Sequence, residues 1–250
     1  MKTGFLITAR LKSTRLEKKI MLKVEGKEIL RWMIDRIKLS KNISKIILCT
    51  STSAQDDPLE QIAEEENIDY YRGSEEDVIE RLYMASAKFN LDYCLNLTAD
   101  CPLVSLECID DIINEYKKSN ADFIQAPSLP HGFFSWGLKP SALKKVCEIK
   151  NDKNTEVWGK YFTETGLFKV VNLPENKKLT RESYRLTIDY PEDFNLFQKI
   201  FSFYGKNTYK ISMYDLIAFL DNNPEIANIN KHCKMKYDKR WNSQSKISLK

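Results

Sequence analysis

The chain has 250 residues, of which 42% are hydrophobic and 30% are charged, a composition typical of a folded globular protein with a sizeable core. Its 39 basic and 35 acidic residues leave a formal charge of only +4, so no overall field selects a nucleic acid or an anionic membrane. No apolar run approaches the roughly 20 residues that span a bilayer, and the first run is too short for a signal peptide. We therefore expect a cytoplasmic protein with no nucleic-acid or membrane partner.

Short β-rich runs alternate with segments of helical period through the first half of the chain. The predicted strands are TGFLIT, KIILCT, DYYRG, DYCLNLT and ADFIQA, and the predicted helices between them are EILRWMIDRIKLS, PLEQIAEEEN, DVIERLYMASAKFN and LECIDDIINEYKKS. Apolar residues recur at spacings of three and four, as at Leu30, Met33, Ile34 and Ile37. Strands that alternate with helices predict an α/β fold with a mostly parallel central sheet flanked by helices.

The pattern changes after about residue 126, where PSLPHGFFSWGLKP holds three prolines and two glycines. This composition favours an inserted irregular or hairpin region, which we interpret as a candidate dimer contact. The later predicted elements are a helix in NTEVWGKYFTETG, strands LFKVVNL and YRLTI, and helices in PEDFNLFQKIFSFYG and SMYDLIAFLDNNPEI. With no repeat or linker in view, we predict one domain over residues 1–235 and a polar, frayed C-terminal tail over residues 236–250.

The six cysteines form no CxxC pair, and only two histidines accompany them. A zinc site is therefore disfavoured. We predict reduced and mostly buried thiols.

A basic stretch, ARLKSTRLEKK, follows the first predicted strand directly. In an open α/β sheet, ligands bind at the carboxyl ends of the strands. The stretch has no glycine, so it is neither a GxGxxG motif nor a P-loop. The guanidinium groups of Arg10 and Arg15, the ammonium of Lys19 and the backbone near Ser13 suit a triphosphate. The alternative is ordinary surface charge, which is our interpretation of Lys12 and Lys18.

Two aspartates follow other predicted strands. Asp100 lies in NLTADCPL, where an oxygen ligand for a hard divalent cation is expected, although it could instead cap the following turn. Asp189 lies in RLTIDYPEDF, just before a helix start whose Pro191 and Glu192 have structural explanations. Two carboxylates opposite a cationic loop are the parts of a metal-assisted phosphoryl or nucleotidyl transfer site, but spacing leaves their convergence open.

Two further segments have weaker signals. Arg72, Gly73 and Ser74 lie between a strand and a helix, where they could line a nucleotide pocket or form a plain turn and helix cap. The aromatic residues of GFFSW and EVWGKYF either belong to the core or a dimer interface, or form a platform for an acceptor.

Together these segments resemble the cytidylyltransferase superfamily, and most closely the branch described as spore coat polysaccharide biosynthesis protein F, which is related to CMP-ketodeoxyoctonate and CMP-sialate synthetases. The family pattern Ala-Arg followed by Ser-Thr-Arg-Leu-Pro-Gly-Lys is matched by ARLKSTRLEKK. Further ordered matches are TSTSAQDDPLEQIA, YRGSEEDVIERLYMA, LTADCPL and LTIDYPEDF, so the resemblance covers roughly residues 3–225.

The resemblance implies a nucleotide-diphospho-sugar transferase-like fold of the GT-A type, with CTP and Mg²⁺ over the sheet, commonly in a homodimer. It implies catalytic roles for Arg10, Arg15, Lys19, Asp100 and Asp189, with magnesium held by Asp100 and Asp189. The implied nucleotide-binding residues are Ala9, Arg10, Leu11, Ser13, Arg15, Lys19, Arg72, Gly73, Ser74, Thr98, Ala99 and Asp100. The candidate acceptor-binding residues are His131, Phe134, Trp136, Glu156 and Trp158.

Two departures from the family pattern stand out. Glu17 and Lys18 replace Pro-Gly in the first motif, and HGFFSWGL replaces a shorter Gly-Leu-Asp-like segment at the acceptor. We predict a Mg²⁺-dependent enzyme that transfers CMP from CTP to an acidic sugar or a phosphorylated small molecule for surface-glycan biosynthesis. The alternatives are a sugar-1-phosphate nucleotidylyltransferase that uses another nucleotide, a glycosyltransferase of the same fold, and a non-catalytic nucleotide-binding paralogue.

Overall fold

The computed structural model describes residues 1–244 and 247–250. The strands are β1 Thr3–Thr8, β2 Lys23–Val24, β3 Lys27–Glu28, β4 Lys45–Ser51, β5 Asp69–Gly73, β6 Tyr93–Thr98, β7 Phe123–Gln125, β8 Trp136–Leu138 and β9 Val170–Asn172. The helices are α1 Ile29–Ile37, α2 Asp57–Glu65, α3 Val78–Lys88, α4 Leu106–Ser119, α5 Pro140–Ile149, α6 Gly159–Thr163, α7 Pro191–Tyr204, α8 Met213–Asn222, α9 Pro224–Ala227 and α10 Cys233–Gln244. Short 3-10 turns cover Lys19–Met21, Ala54–Asp56 and Gly205–Lys210.

The central sheet is mostly parallel, which confirms the predicted fold class. Among the described residues it has seven strands in the order β5-β4-β1-β6-β8-β7-β9. Strand β1 lies between β4 and β6 and is parallel to both, with Thr8 level with Cys49 and with Thr98. The loops after β1 and β6 therefore leave the sheet side by side.

Alternation along β1 assigns its side chains to the two faces of the sheet. Phe5 and Ile7 pack with the helices on one face, and Leu6 packs with those on the other, as the two-residue period of a strand requires. Leu30 and Met33 of α1 are fully buried, so the predicted apolar stripe is confirmed. A third hydrophobic cluster packs α7 and α8 against the part of the molecule where the strands end.

The region after residue 126 forms the predicted hairpin-like connection. Strand β8 returns antiparallel to β7, with Phe123 opposite Leu138, and inserts between β6 and β7. The connecting loop at residues 126–135 lies at the carboxyl end of β6 and carries His131 and Phe134. The candidate acceptor-binding residues His131 and Phe134 thereby line the same cavity as Asp100.

Three element predictions need correction. YRLTI is not a strand of the sheet. Leu186 N–H donates to His131 O at 2.7 Å, and Ile188 N–H donates to Asp100 O at 2.9 Å. Because both acceptors are loop residues, this segment forms only an isolated β-bridge, at Arg185. The helix predicted in NTEVWGKYFTETG is confined to α6, and the last predicted helix is divided at Asn223, because Pro224 begins a new helix.

The predicted tail is more ordered than expected over its described residues. Helix α10 covers Cys233–Gln244, and Lys150 bridges to Leu249. Residues 245 and 246 of the predicted tail lie outside the described residues, and the domain limit at residue 235 stays a prediction. All six cysteines are free, and Cys147 is the one that is only partly buried. In the described part of the chain, no helix is long and apolar enough to cross a membrane.

Lys18 adopts a left-handed conformation, with φ 45° and ψ 36°, directly before the 3-10 turn that carries Lys19. Lys18 O accepts a hydrogen bond from Met21 N–H at 2.7 Å, which fixes this turn. Because a left-handed backbone suits glycine best, the departure from the resembled Pro-Gly pattern has a steric cost. The exposed Lys18 thus adopts a backbone conformation that a glycine would adopt at lower cost.

We expect Lys18→Gly to raise the free energy of unfolding by about 1 kcal/mol, because it removes the Cβ clash of the left-handed conformation. Urea unfolding followed by circular dichroism measures the change. Glu17→Gly is the matched control, since the exposed Glu17 lies outside the left-handed region and a glycine there should destabilise. Equal effects of the two substitutions would contradict this account of the turn.

Candidate active site

The site lies where β1 and β6 end. Ala99 N–H donates to Thr8 O at 2.9 Å, so the turn after β6 is fixed against the end of β1. The segment that precedes α7 passes on the other side of this turn, where Ile188 N–H bonds Asp100 O. Two segments far apart in sequence thereby bring Asp100 and Asp189 together with the first basic loop.

Asp189 pairs with three cationic side chains. One of its oxygens accepts from Arg15 and from Lys19, the latter at 2.7 Å, and the other accepts from Arg185. The residue is only 4% exposed. Burial by itself would raise the pKa of Asp189, but the charges of Lys19, Arg15 and Arg185 outweigh it and lower the pKa. Asp189 is therefore ionised and can serve as an anionic ligand.

A second set of contacts fixes the backbone at Asp189. The buried carboxylate of Asp193, in the first turn of α7, accepts from the backbone N–H groups of Asp189 and Tyr190, each at 2.9 Å. Asp193 also pairs with Arg185 at 3.2 Å and accepts from Asn230 at 2.7 Å. Asp193, in the first turn of the helix, therefore orients the candidate ligand Asp189 that precedes it.

Lys19 joins the two aspartates. Its ammonium donates to Asp100 and to Asp189. Burial favours a lower pKa, but the two carboxylates raise the pKa of Lys19 above its usual value. Asp100 also accepts from the Thr98 hydroxyl. The sequence left open whether the two aspartates converge. In the folded chain they do, because both accept a hydrogen bond from Lys19.

The rest of the basic loop is held by acidic partners and by a buried anchor. Arg10 donates to Glu75 O at 2.8 Å and lies 3.7 Å from a Glu156 oxygen. Leu11 N–H donates to the fully buried Asp56 at 2.7 Å. Because this N–H is already bonded and the Leu11 side chain is buried, the loop presents Arg10 and Ser13, rather than Leu11, to the cleft.

Two cavities meet at these charged residues. The smaller, of about 230 Å³, is lined by Ala9, Arg10 and Ser13 of the basic loop. It is also lined by Lys12, whose side chain is 55% exposed and pairs with Glu75 at 3.1 Å, which agrees with our interpretation of Lys12 as surface charge. The larger cavity, of about 440 Å³, lies on the other side. The residues that line both cavities are Arg15, Lys19, Thr98, Asp100, Glu156 and Trp158.

The larger cavity has an aromatic wall. Trp136 lies edge-on to Phe134 and to Trp158, with ring centroids 5.6 Å and 5.3 Å apart. His131 lines the same cavity, whereas Phe133 is fully buried in the core. All the candidate acceptor residues thus reach one cavity, next to the charged junction.

The Arg72 segment lies elsewhere. Arg72 is on the edge strand β5 and pairs with Asp57 at 2.6 Å and Glu60 at 3.0 Å of α2. The Ser74 hydroxyl accepts from Asp77 N–H at 3.0 Å at the start of α3. Arg72, Gly73 and Ser74 line neither cavity. They agree with the alternative interpretation, a plain turn and helix cap.

Sequence reasoning missed Arg185 and Tyr237. Arg185 lies inside a segment interpreted as a strand, and only its 1% exposure marks it as a buried cation. Tyr237 belongs to the predicted polar tail but lines the larger cavity. No local sequence signal distinguishes either residue from its neighbours.

We expect the His131 environment to make stability fall with acidification between pH 6.5 and 5. Burial and the Arg185 charge lower the pKa of His131 to about 4, so the unfolded chain, with an ordinary pKa near 6.5, binds the proton first. The loss should be about 1 kcal/mol per pH unit in this window. Urea unfolding at several pH values measures it.

The second histidine provides the control. His131→Gln should flatten the pH dependence of the free energy of unfolding. His232→Gln, at the exposed His232, should leave this dependence unchanged. An unchanged slope in His131→Gln would contradict the assignment.

Comparisons with known proteins agree with this architecture. A family model described as cytidylyltransferase matches residues 5–221. An uncharacterized protein of Methanocaldococcus jannaschii is 32% identical over 238 residues, 94% of this chain and 97% of that protein. The spore coat polysaccharide biosynthesis protein SpsF of Bacillus subtilis is 26% identical over 230 residues, 89% and 95% of the two chains.

A solved structure of a cytidylyltransferase from Leptospira borgpetersenii superposes with a TM-score of 0.83 at 30% identity, covering 91% of this chain and 97% of that one. The family match includes the basic loop, both aspartates and the residues of the aromatic wall. This chain therefore belongs to the cytidylyltransferase family.

Proposed function

We propose that the protein transfers CMP from CTP to an acidic sugar or a phosphorylated small molecule and releases pyrophosphate. The observation that carries the proposal is the pair of cavities that meet at Lys19 and Asp100. A basic cavity beside an aromatic one suits a nucleotide and an acceptor held end to end. The name of the related Bacillus protein supports a product for polysaccharide synthesis.

On the nucleotide side, Arg10, Arg15 and Lys19 would hold the phosphates. Each already faces a carboxylate, so phosphate oxygens would replace carboxylate oxygens as acceptors without moving the cations far. Guanidinium groups bind phosphates bidentately, and a lysine adds a point charge. These groups would stabilise the charge that develops on departing pyrophosphate.

Asp100 and Asp189 fit a magnesium ion by their chemistry. They are carboxylate oxygens that converge on one cation, the Lys19 ammonium, and the pKa of Asp189 is low enough for it to stay ionised. Hard oxygen ligands of this kind are what Mg²⁺ prefers. When bound, the ion would supply charge neutralisation at the phosphates.

On the acceptor side, an oxygen of the acceptor would attack the α-phosphorus. The new bond joins that oxygen to phosphorus, and the bond from phosphorus to the bridging oxygen of pyrophosphate breaks. An acceptor that is already ionised, as a carboxylate or phosphate, needs no general base. The aromatic wall at Trp136 and Trp158 would exclude water and position the acceptor.

We expect pyrophosphate release to require CTP, an acceptor and a divalent cation. A matrix of the four nucleoside triphosphates against acidic sugars and sugar or polyol phosphates, with and without EDTA, measures it. Release with CTP alone among the nucleotides, abolished by EDTA, is the expected result. Preference for another nucleotide with a sugar 1-phosphate would replace cytidylyl transfer by the alternative nucleotidyl transfer.

Two further outcomes would reject the proposal. A glycosyltransferase of this fold would release no pyrophosphate from free nucleotide in any well of the matrix. A non-catalytic paralogue would bind CTP in calorimetry and still give no turnover. The homodimer and the cytoplasmic location expected from the sequence stay predictions.

We expect Lys19→Gln to lower kcat/KM for CTP about a hundredfold, because one phosphate contact is worth about 3 kcal/mol in the transition state. Lys18→Gln is the matched control, since Lys18 is the adjacent lysine and is exposed. Steady-state pyrophosphate release measures both, with circular dichroism to check the fold. If the two variants lose activity equally, the role of Lys19 is refuted.

A further inference from the structure

The C-terminal segment at residues 230–250 lies beyond the part of the chain that the family model matches, which ends at residue 221. Its first anchor is Asn230, which is fully buried and donates to Arg185 O at 2.9 Å and to Asp193 at 2.7 Å. His232 lies 3.0 Å from Glu192 of α7. The segment is thus fixed to the same residues that hold Asp189.

The far end of the segment is fixed to another wall of the site. Ser248 N–H donates to Asp152 at 2.8 Å, and Asn151 N–H donates to Ser248 O at 2.9 Å. Ile247 packs against the cluster that contains Trp158. The described residues of the segment therefore contact both the Asp189 side and the Trp158 side of the larger cavity.

Between these anchors, Tyr237 lines the cavity. Its ring lies 4.5 Å from the ring of His131 and 4.7 Å from the guanidinium carbon of Arg185. The guanidinium over the ring is a cation–π contact that fixes the orientation of the tyrosine. Arg185 in turn pairs with Asp189, so Tyr237 is coupled to the charged junction through one side chain.

We propose that Tyr237 is a specificity-determining residue for the acceptor and that it selects a hydroxyl-bearing sugar ring; this inference rests on the proposed function. Tyr237 and His131 form one side of the cavity, and Phe134, Trp136 and Trp158 form an aromatic wall. Aromatic faces pack against the apolar faces of a ring, and imidazole and phenol groups bond its hydroxyls.

The electrostatics agree with that choice of ligand. His131 is neutral at physiological pH because burial and Arg185 lower its pKa to about 4. Burial together with Asp189 raises the pKa of Tyr237, so the phenol stays protonated. These two uncharged groups suit the hydroxyls of a ring, whereas Arg15 and Lys19, which also line the cavity, suit an anionic group.

The test compares Tyr237→Ala and Tyr237→Phe with Met235→Ala, a control at a 67% exposed residue of the same helix. Pyrophosphate release at saturating CTP is measured with 3-deoxy-manno-octulosonate, N-acetylneuraminate and glycerol 3-phosphate. We expect Tyr237→Ala to raise the KM of the preferred sugar at least tenfold and to leave the KM of CTP within twofold. The KM of Tyr237→Phe for this sugar should lie between the values of Tyr237→Ala and the unaltered protein. The KM of Met235→Ala should match that of the unaltered protein.

A second readout separates this inference from the proposed function. Binding of the same three compounds without nucleotide is followed by calorimetry and by the fluorescence of the cavity tryptophans. Sugar binding that Tyr237→Ala weakens tenfold, with no turnover by the unaltered protein, would refute the proposed function and retain the binding role of Tyr237. Equal sugar affinity in the two proteins, equal losses for CTP and sugar, or no sugar binding at all would overturn the role of Tyr237.

Discussion

The site depends on one buried carboxylate. Asp189 accepts hydrogen bonds from Arg15 and Lys19 of the basic loop and from Arg185, which lies far away in the sequence from that loop. A charge this deeply buried is tolerated only when it is paired and hydrogen-bonded, since its desolvation costs several kcal/mol. Conversely, three cations could not lie this close together without an anion among them. The basic loop, the segment before α7 and the end of β6 therefore hold one another in place.

Pairing of cations with carboxylates also explains how a strongly basic loop occurs in a protein of near-balanced charge. Arg10 lies near Glu156 at the smaller cavity and Lys12 pairs with Glu75, as Arg15 and Lys19 pair with Asp189. The cations are thus positioned before any anion arrives, which reduces the reorganisation that phosphate binding would need. The cost is competition, because an incoming phosphate must replace a carboxylate that is already bound.

The two halves of the site are built differently. The junction is fixed by strand register and by buried hydrogen bonds, such as Leu11 N–H to Asp56. The aromatic cavity is built from the hairpin loop after β7, from the segment before α6 and from α10. Connections of this kind can change without altering the sheet, and one fold can in this way serve different acceptors. The departure at HGFFSWGL lies in this variable half.

Local pattern was sufficient for the sheet and for part of the site. Alternating strands and helices predicted the α/β class, and residue type together with position after a strand identified Arg15, Lys19 and Asp100. The fold class could be predicted, and these residues singled out as candidates, because hydrophobic period and strand-end position are encoded within a few neighbouring residues.

Tertiary structure alone decided what depends on distant parts of the chain. Arg72 has the same local setting as a phosphate-binding residue, yet its strand lies at the sheet edge, where α2 supplies its partners. Arg185 was hidden in a segment that resembles a strand but pairs with loops. Tyr237 lies 48 residues from Asp189 in the sequence. The sequence by itself determined the sheet and the charged residues at its strand ends, whereas long-range packing decided which of those charges meet and which side chains line the acceptor cavity.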